Sequence, residues 1–145
     1  MSNADTGIGM LLNAPVQTIM DFDVLILDGT STVADAIEKM KEKNARSVLV
    51  THAGEIIGIV SKTDILFKVM GRGKDSTKAK LREIMSCPVL TVSPSSTVGE
   101  ALAIMDKHVV RQLIVSLRAS VMGIVTRDII FEKIHSLLSQ RLQQL

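Results

Sequence analysis

The sequence predicts an α/β protein, α+β-like in having two small sheets, built from two pseudo-symmetric β-α-β-β-α repeats packed as one module. Three observations lead there. The chain repeats itself at an offset of about 65 residues: Ile19-Met20 and Val24-Leu25 return as Ile84-Met85 and Val89-Leu90, Ser31-Thr32-Val33 as Ser96-Thr97-Val98, and Gly58-Ile59-Val60 as Gly123-Ile124-Val125. Ala36, Met40, Arg46 and Val50 recur between these anchors as Ala101, Met105, Arg111 and Val115. Finally, 145 residues with 46% hydrophobic and 22% charged content suffice for one substantial core, whereas either repeat alone is too small to bury its apolar face.

In the first repeat, Val24 to Leu27 is a short apolar run closed by Asp28-Gly29, a buried strand and its turn. Thr32 and Asp35 have capping-box spacing, and Val33, Ala36, Ile37 and Met40 then share one helical face as far as Asn44. Ser47 to Thr51 and Glu55 to Val60 are β-rich and separated by the turn signal Ala53-Gly54, which predicts a hairpin. Ser61 opens a helix to about Met70. The second repeat follows the same order: strand Val89 to Val92, cap Thr97 with Glu100, helix Val98 to His108, strands Leu113 to Leu117 and Val121 to Val125, then a longer helix whose Ile134, Leu137, Leu138 and Leu142 form an apolar stripe. The predicted boundaries are an N-terminal segment 1–13, repeats at 14–70 and 81–135, a linker at 71–80, and a helical extension at 136–145. Ser-Asn-Ala after Met1 matches a common tag remnant, so Met1 to Ala4 carry no weight in the fold prediction.

Composition excludes several functions. A net charge of +2 is too small to argue for nucleic acid, and the basic run Arg72, Lys74, Lys78, Lys80 and Arg82 reads as a solvated linker. With three Phe and no Trp or Tyr, the chain lacks an aromatic platform for stacking bases. No apolar run reaches the roughly 18 residues needed to span a bilayer, and the first residues lack the charged and apolar regions of a signal peptide. The single Cys87 rules out an internal disulfide; a cytoplasmic protein is expected. His52, His108 and His135 have no partners at metal-ligand spacing. Gly71 to Ser76 fails as a phosphate loop, since Lys68 stands where its first Gly is required. No nucleophile, base and orienter assemble into a mechanism, so no enzymatic activity and no required cofactor are expected.

The chemistry concentrates at Ser61-Lys62-Thr63-Asp64, directly after a strand and opening a helix. Structurally this is an ordinary capping box. The same corner offers backbone N–H groups and a positive helix end to an anion, while a carboxylate can accept two hydrogen bonds from a ribose diol.

The string Gly-Ile-Val-Ser-x-x-Asp at Gly58 to Asp64, a preceding helix carrying Thr32-Val33-x-x-Ala36, and their placement in a tandem repeat together resemble the cystathionine-β-synthase (CBS) domain; the chain looks like a pair of them, a Bateman module, over roughly residues 14 to 135. The resemblance implies a non-catalytic regulatory module that binds an adenosyl ligand such as AMP, ADP or ATP in clefts between its halves, forms a homodimer and signals to an effector protein. It further implies that Ser61 and Asp64 hold phosphate or ribose at a first site, that the backbone beside Val24 and Leu25 reads adenine, and that Arg46 faces the phosphates. The second-repeat counterparts are Thr126, Asp128, Arg111, Val89 and Leu90. There Gly123-Ile124-Val125-Thr126-Arg127-Asp128 is one residue shorter than the family string, so either the helix starts early or Asp128 is turned by about 100° relative to Asp64. The alternative is a ligand-independent homodimerisation scaffold in which Ser61 and Asp64 only cap a helix.

Overall fold

The computed structural model describes residues 3–144. The tag-remnant reading of Met1 to Ala4 therefore falls partly outside the described residues. The chain folds as two units: Asp23–Val89 form one, and the residues up to Phe22 together with those from Leu90 onward form the other.

In the Asp23–Val89 unit, β1 (Leu25–Asp28), β2 (Ser47–His52) and β3 (Glu55–Ser61) make a three-stranded sheet in that order, parallel between β1 and β2 and antiparallel between β2 and β3. Helix α2 (Val33–Lys43) covers it with Val33, Ala36 and Met40, all buried, at the spacing of one helical face. Its cap is half of the expected box: Thr32 Oγ1 accepts from the Asp35 N–H, but the Asp35 carboxylate turns to Lys39, 3.3 Å away, as an i,i+4 pair. Asn44 ends the helix at φ 53°, a left-handed position that Asn tolerates well. Helix α3 (Lys62–Ile65) leaves β3 without a loop and runs on through a π-helical turn at Leu66–Met70. After the linker, α4 (Leu81–Ile84) buries Leu81 and Ile84 in the same core.

The other unit has the same plan from β4 (Thr91–Val92), α5 (Val98–His108), β5 (Gln112–Leu117), β6 (Ser120–Thr126) and α6 (Arg127–Gln143). Thr97 and Glu100 form a complete capping box. The strand predicted over Val89 to Val92 is shorter than expected: Pro88 has no N–H to offer a ladder, and pairing with β5 begins at Thr91. A helix that hydrophobic spacing did not reveal, α1 (Asn3–Asn13), packs on α6, where a Cβ on Gly7 would meet Leu137 at 3.7 Å. The apolar stripe of α6 is thus partly consumed internally: Ile134 packs on this unit's core and only Leu138 and Leu142 remain exposed.

Each sheet is extended by the segment that leads into the other repeat. Ser86 pairs antiparallel with Ile59 of β3, and Asp21 pairs in the same way with Ile124 of β6. The residues just before these bridges plug the cores, with Leu81 and Ile84 buried in one unit and Val16 and Met20 in the other. Close approach demands glycine on the receiving strand. A Cβ at Gly58 would lie 2.5 Å from Met85 Sδ, and one at Gly123 only 2.6 Å from the Asp21 carbonyl oxygen.

Two capped turns stand outside these contacts. The carboxylates of Asp28 and Asp75 sit below their ordinary range, the first mainly because the Thr30 N–H donates to it, the second mainly because the Thr77 hydroxyl does.

Because a flexible thioether can yield and a bridged carbonyl cannot, Gly123→Ala should cost on the order of 3 kcal/mol in urea unfolding and Gly58→Ala less. Equal costs would mean that the two bridges are equally deformable.

Candidate functional site

Strand register gathers the first set of predicted residues at one end of the β1-β2-β3 sheet. Leu25 opens β1 opposite Val48, which sets Val24 beside the start of β2; Arg46 immediately precedes β2; and Ser47 at that start pairs with Ser61 at the end of β3. Leu25 is buried, Val24 half-buried and Arg46 exposed.

At this end the chain turns from β3 straight into α3, and the turn is held by a reciprocal cap. Ser61 Oγ accepts from the Asp64 N–H at 3.2 Å, and Asp64 Oδ2 accepts from the Ser61 N–H at 2.9 Å and from Ser61 Oγ at 3.1 Å. Asp64 is 7% exposed, one of two buried polar residues among those described. A buried carboxylate must be compensated. Its second oxygen, Oδ1, accepts from Ser86 Oγ at 3.0 Å and pairs with Lys68 Nζ at 3.0 Å. Lys68 Nζ also donates to the Ile84 carbonyl at 3.0 Å, so the carboxylate ties α3 to the bridging segment Ile84 to Ser86.

Sequence reasoning missed Lys68 and Ser86. The first was signalled by its position four residues after Asp64, one helical turn along the same face. Ser86 lies 22 residues from Asp64 in the chain, and nothing local to either residue announces their contact.

The second set gathers at the equivalent end of β4-β5-β6. Gln112 pairs with Thr126, Arg111 precedes β5 and accepts from the Arg127 N–H through its carbonyl at 2.9 Å, and Leu90 accepts from the Ile114 N–H. Val89 is half-buried, outside any strand. Thr126 caps α6 by accepting from the Ile129 N–H at 3.0 Å, as Ser61 does from Asp64. The helix therefore keeps its normal start, and Asp128 is the residue turned away: it lines a shallow hollow on α6 with Phe131, Glu132 and His135. Ile129 stands where Asp64 stands in the first repeat, so half of the box is missing there. Arg127, at the place of Lys62, pairs with Asp106 of α5.

Among the described residues no group of His, Cys, Asp and Glu could hold a metal ion, and no helix is long and apolar enough to cross a membrane.

The CBS domain model matches residues 16–71 and again 81–136, and the chain belongs to the CBS domain family as a tandem pair. An uncharacterised protein of Methanopyrus kandleri is 37% identical over 112 residues, 76% of this chain and 57% of the relative. One from Methanocaldococcus jannaschii is 30% identical over 122 residues, 82% of this chain and 65% of its own length; the chain thus spans less than two thirds of either relative. Among solved structures, the hexameric CBS-CP12 protein from bloom-forming cyanobacteria is 33% identical with a TM-score of 0.72, covering 81% of this chain and 69% of that one. The CBS domain of a bacterial CNNM/CorC family Mg2+ transporter shares the fold at 21% identity and a TM-score of 0.69, over 92% of this chain and 85% of that one.

Removing the hub of this network should be costly. Asp64→Ala deletes a cap and strands Ser86, on the order of 2 kcal/mol in urea unfolding, while Lys68→Ala costs less because Ser86 still donates to Oδ1 and Oδ2 keeps its cap bonds. An Asp64→Ala protein as stable as the parent would show that the network carries no stability.

Proposed function

We propose that the chain is a non-catalytic regulatory module that binds an adenine nucleotide, AMP, ADP or ATP or a related adenosyl ligand, and passes its state to an effector protein. The observation that carries this reading is the buried Asp64 carboxylate at a strand-to-helix corner, on the same sheet end as Arg46 and the backbone of Val24 and Leu25. That grouping offers each part of a nucleotide a chemically matched partner. A ribose diol meets a carboxylate, phosphate meets a cation and the first-turn N–H groups, and an adenine edge meets strand backbone. Signalling follows if the ligand binds one arrangement of the protein better than another and the effector reads that arrangement.

The two oxygens of Asp64 are not equally available. Oδ2 is committed to the helix cap, whereas Oδ1 holds two side-chain partners that can rotate away. A ribose diol therefore competes with Ser86 and Lys68 for Oδ1. In calorimetric titrations with AMP and ATP, Asp64→Asn should weaken binding at this corner roughly ten- to a hundredfold, and Ser86→Ala should strengthen it by about three- to tenfold by removing a competitor. Unchanged affinity in a folded Asp64→Asn protein would refute the assignment.

The full internal pairing of Asp64 also supports a second reading, a ligand-independent homodimerisation scaffold in which the corner is purely structural. Either reading accommodates a homodimer. Leu66, Phe67 and Met70 leave half to two thirds of their surface exposed on the turns after α3, a patch suited to a second copy. Light scattering at micromolar concentration should give twice 15.7 kDa or a higher multiple, and Phe67→Glu should lower it toward the single-chain value. A monomeric parent protein would count against this patch as a dimer surface and against the scaffold reading with it.

A further inference from the structure

We infer that Asp21, not Asp128, supplies the ribose-binding carboxylate of the second corner, an assignment that rests on the adenine-nucleotide reading above. Its basis is the internal comparison of the two units. Ser86 and Ile59 exchange two backbone hydrogen bonds, Ser86 N–H to Ile59 O at 2.8 Å and Ile59 N–H to Ser86 O at 3.1 Å; Asp21 and Ile124 do the same at 2.8 and 3.0 Å. A doubly bonded antiparallel pair fixes the direction in which each Cβ leaves the strand. The preceding residues agree, since Met85 lies against Gly58 and Met20 against Gly123. Position 21 in one unit is therefore position 86 in the other.

In the Asp23–Val89 unit the side chain at this position reaches the carboxylate on the third residue of the following helix, with Ser86 Oγ 3.0 Å from Asp64 Oδ1. At the equivalent positions of the other unit the helix carries Ile129, 8% exposed, and the bridge carries Asp21, half-buried. The acid thus stands on the bridge rather than on the helix, and this pair of positions carries one carboxylate in each unit. Two would repel at that distance. Asp128 cannot take the role, because one residue along a helix turns the side chain by about 100°, and it faces the hollow beside Phe131 and Glu132.

This placement also changes what would convert one corner into the other. The missing acid is restored by Ile129→Asp, because the helix after Thr126 already starts in the same register as the helix after Ser61 and Ile129 holds the position of Asp64.

The test is calorimetric titration of AMP into the full chain in an Asp64→Asn background, which isolates the second corner. Adding Asp21→Ser, which installs the residue type that the first unit carries there, should weaken the remaining binding by about tenfold or more, whereas adding Asp128→Asn should leave it within about twofold. Adding Ile129→Asp to the Asp21→Ser variant should recover it, an outcome that a merely damaged fold would not give. With 2′-deoxy-AMP, the difference between proteins with and without the Asp21→Ser substitution should shrink. Loss on Asp128→Asn, or retention on Asp21→Ser, overturns the assignment. If the unaltered chain takes up no AMP at either corner, the adenine-nucleotide reading itself fails and this assignment falls with it.

Discussion

A carboxylate on a residue with only 7% of its surface exposed has to be compensated by hydrogen bonds, and the way Asp64 meets that demand organises its half of the protein. One oxygen closes the cap that lets β3 turn into α3 without a loop, and the other reaches across to Ser86 and Lys68, holding the bridging segment against the third strand. Cap, strand end and bridge are thereby coupled through a single side chain. Displacing Ser86 or Lys68 from the outer oxygen would therefore loosen the bridge as well.

The bridges themselves follow from the exchange of leading segments. A three-stranded sheet leaves an edge on its third strand, and each unit pairs part of that edge with the segment preceding the opposite repeat. Glycine at positions 58 and 123 makes room for it, and the apolar pairs Leu81 with Ile84 and Val16 with Met20 anchor it in the cores. At the corner itself the two constructions differ in how the acid is placed. In one unit the helix carries the acid and the bridge a hydroxyl; in the other the helix carries Ile129 and the bridge Asp21.

Much of this was legible in the sequence because it is written in local patterns. The helices at Val33–Lys43 and Val98–His108 follow from capping residues and apolar spacing, and the hairpins from β-rich runs around turn signals. What escaped was non-local. Helix α1 lies in the N-terminal segment that the repeat pattern does not reach, and its packing on α6 helps to consume part of the apolar stripe. The β4 strand is shorter than its apolar run because the ladder with β5 begins only at Thr91, after Pro88, which has no N–H to donate. At the second corner the spacing of Asp128 was visible, but not which way the helix would resolve it, because that depends on Thr126 keeping the cap. The equivalence of Asp21 with Ser86 needed the backbone bridges.

The central claim, that these corners take an adenine nucleotide, has a direct optical test because the chain contains no Trp and no Tyr. The protein should be almost transparent at 280 nm. After incubation with excess AMP and rapid gel filtration, the account predicts an absorption band near 260 nm travelling with the protein, diminished by Asp64→Asn. A protein peak that carries no such band at concentrations well above those used in titration would contradict it.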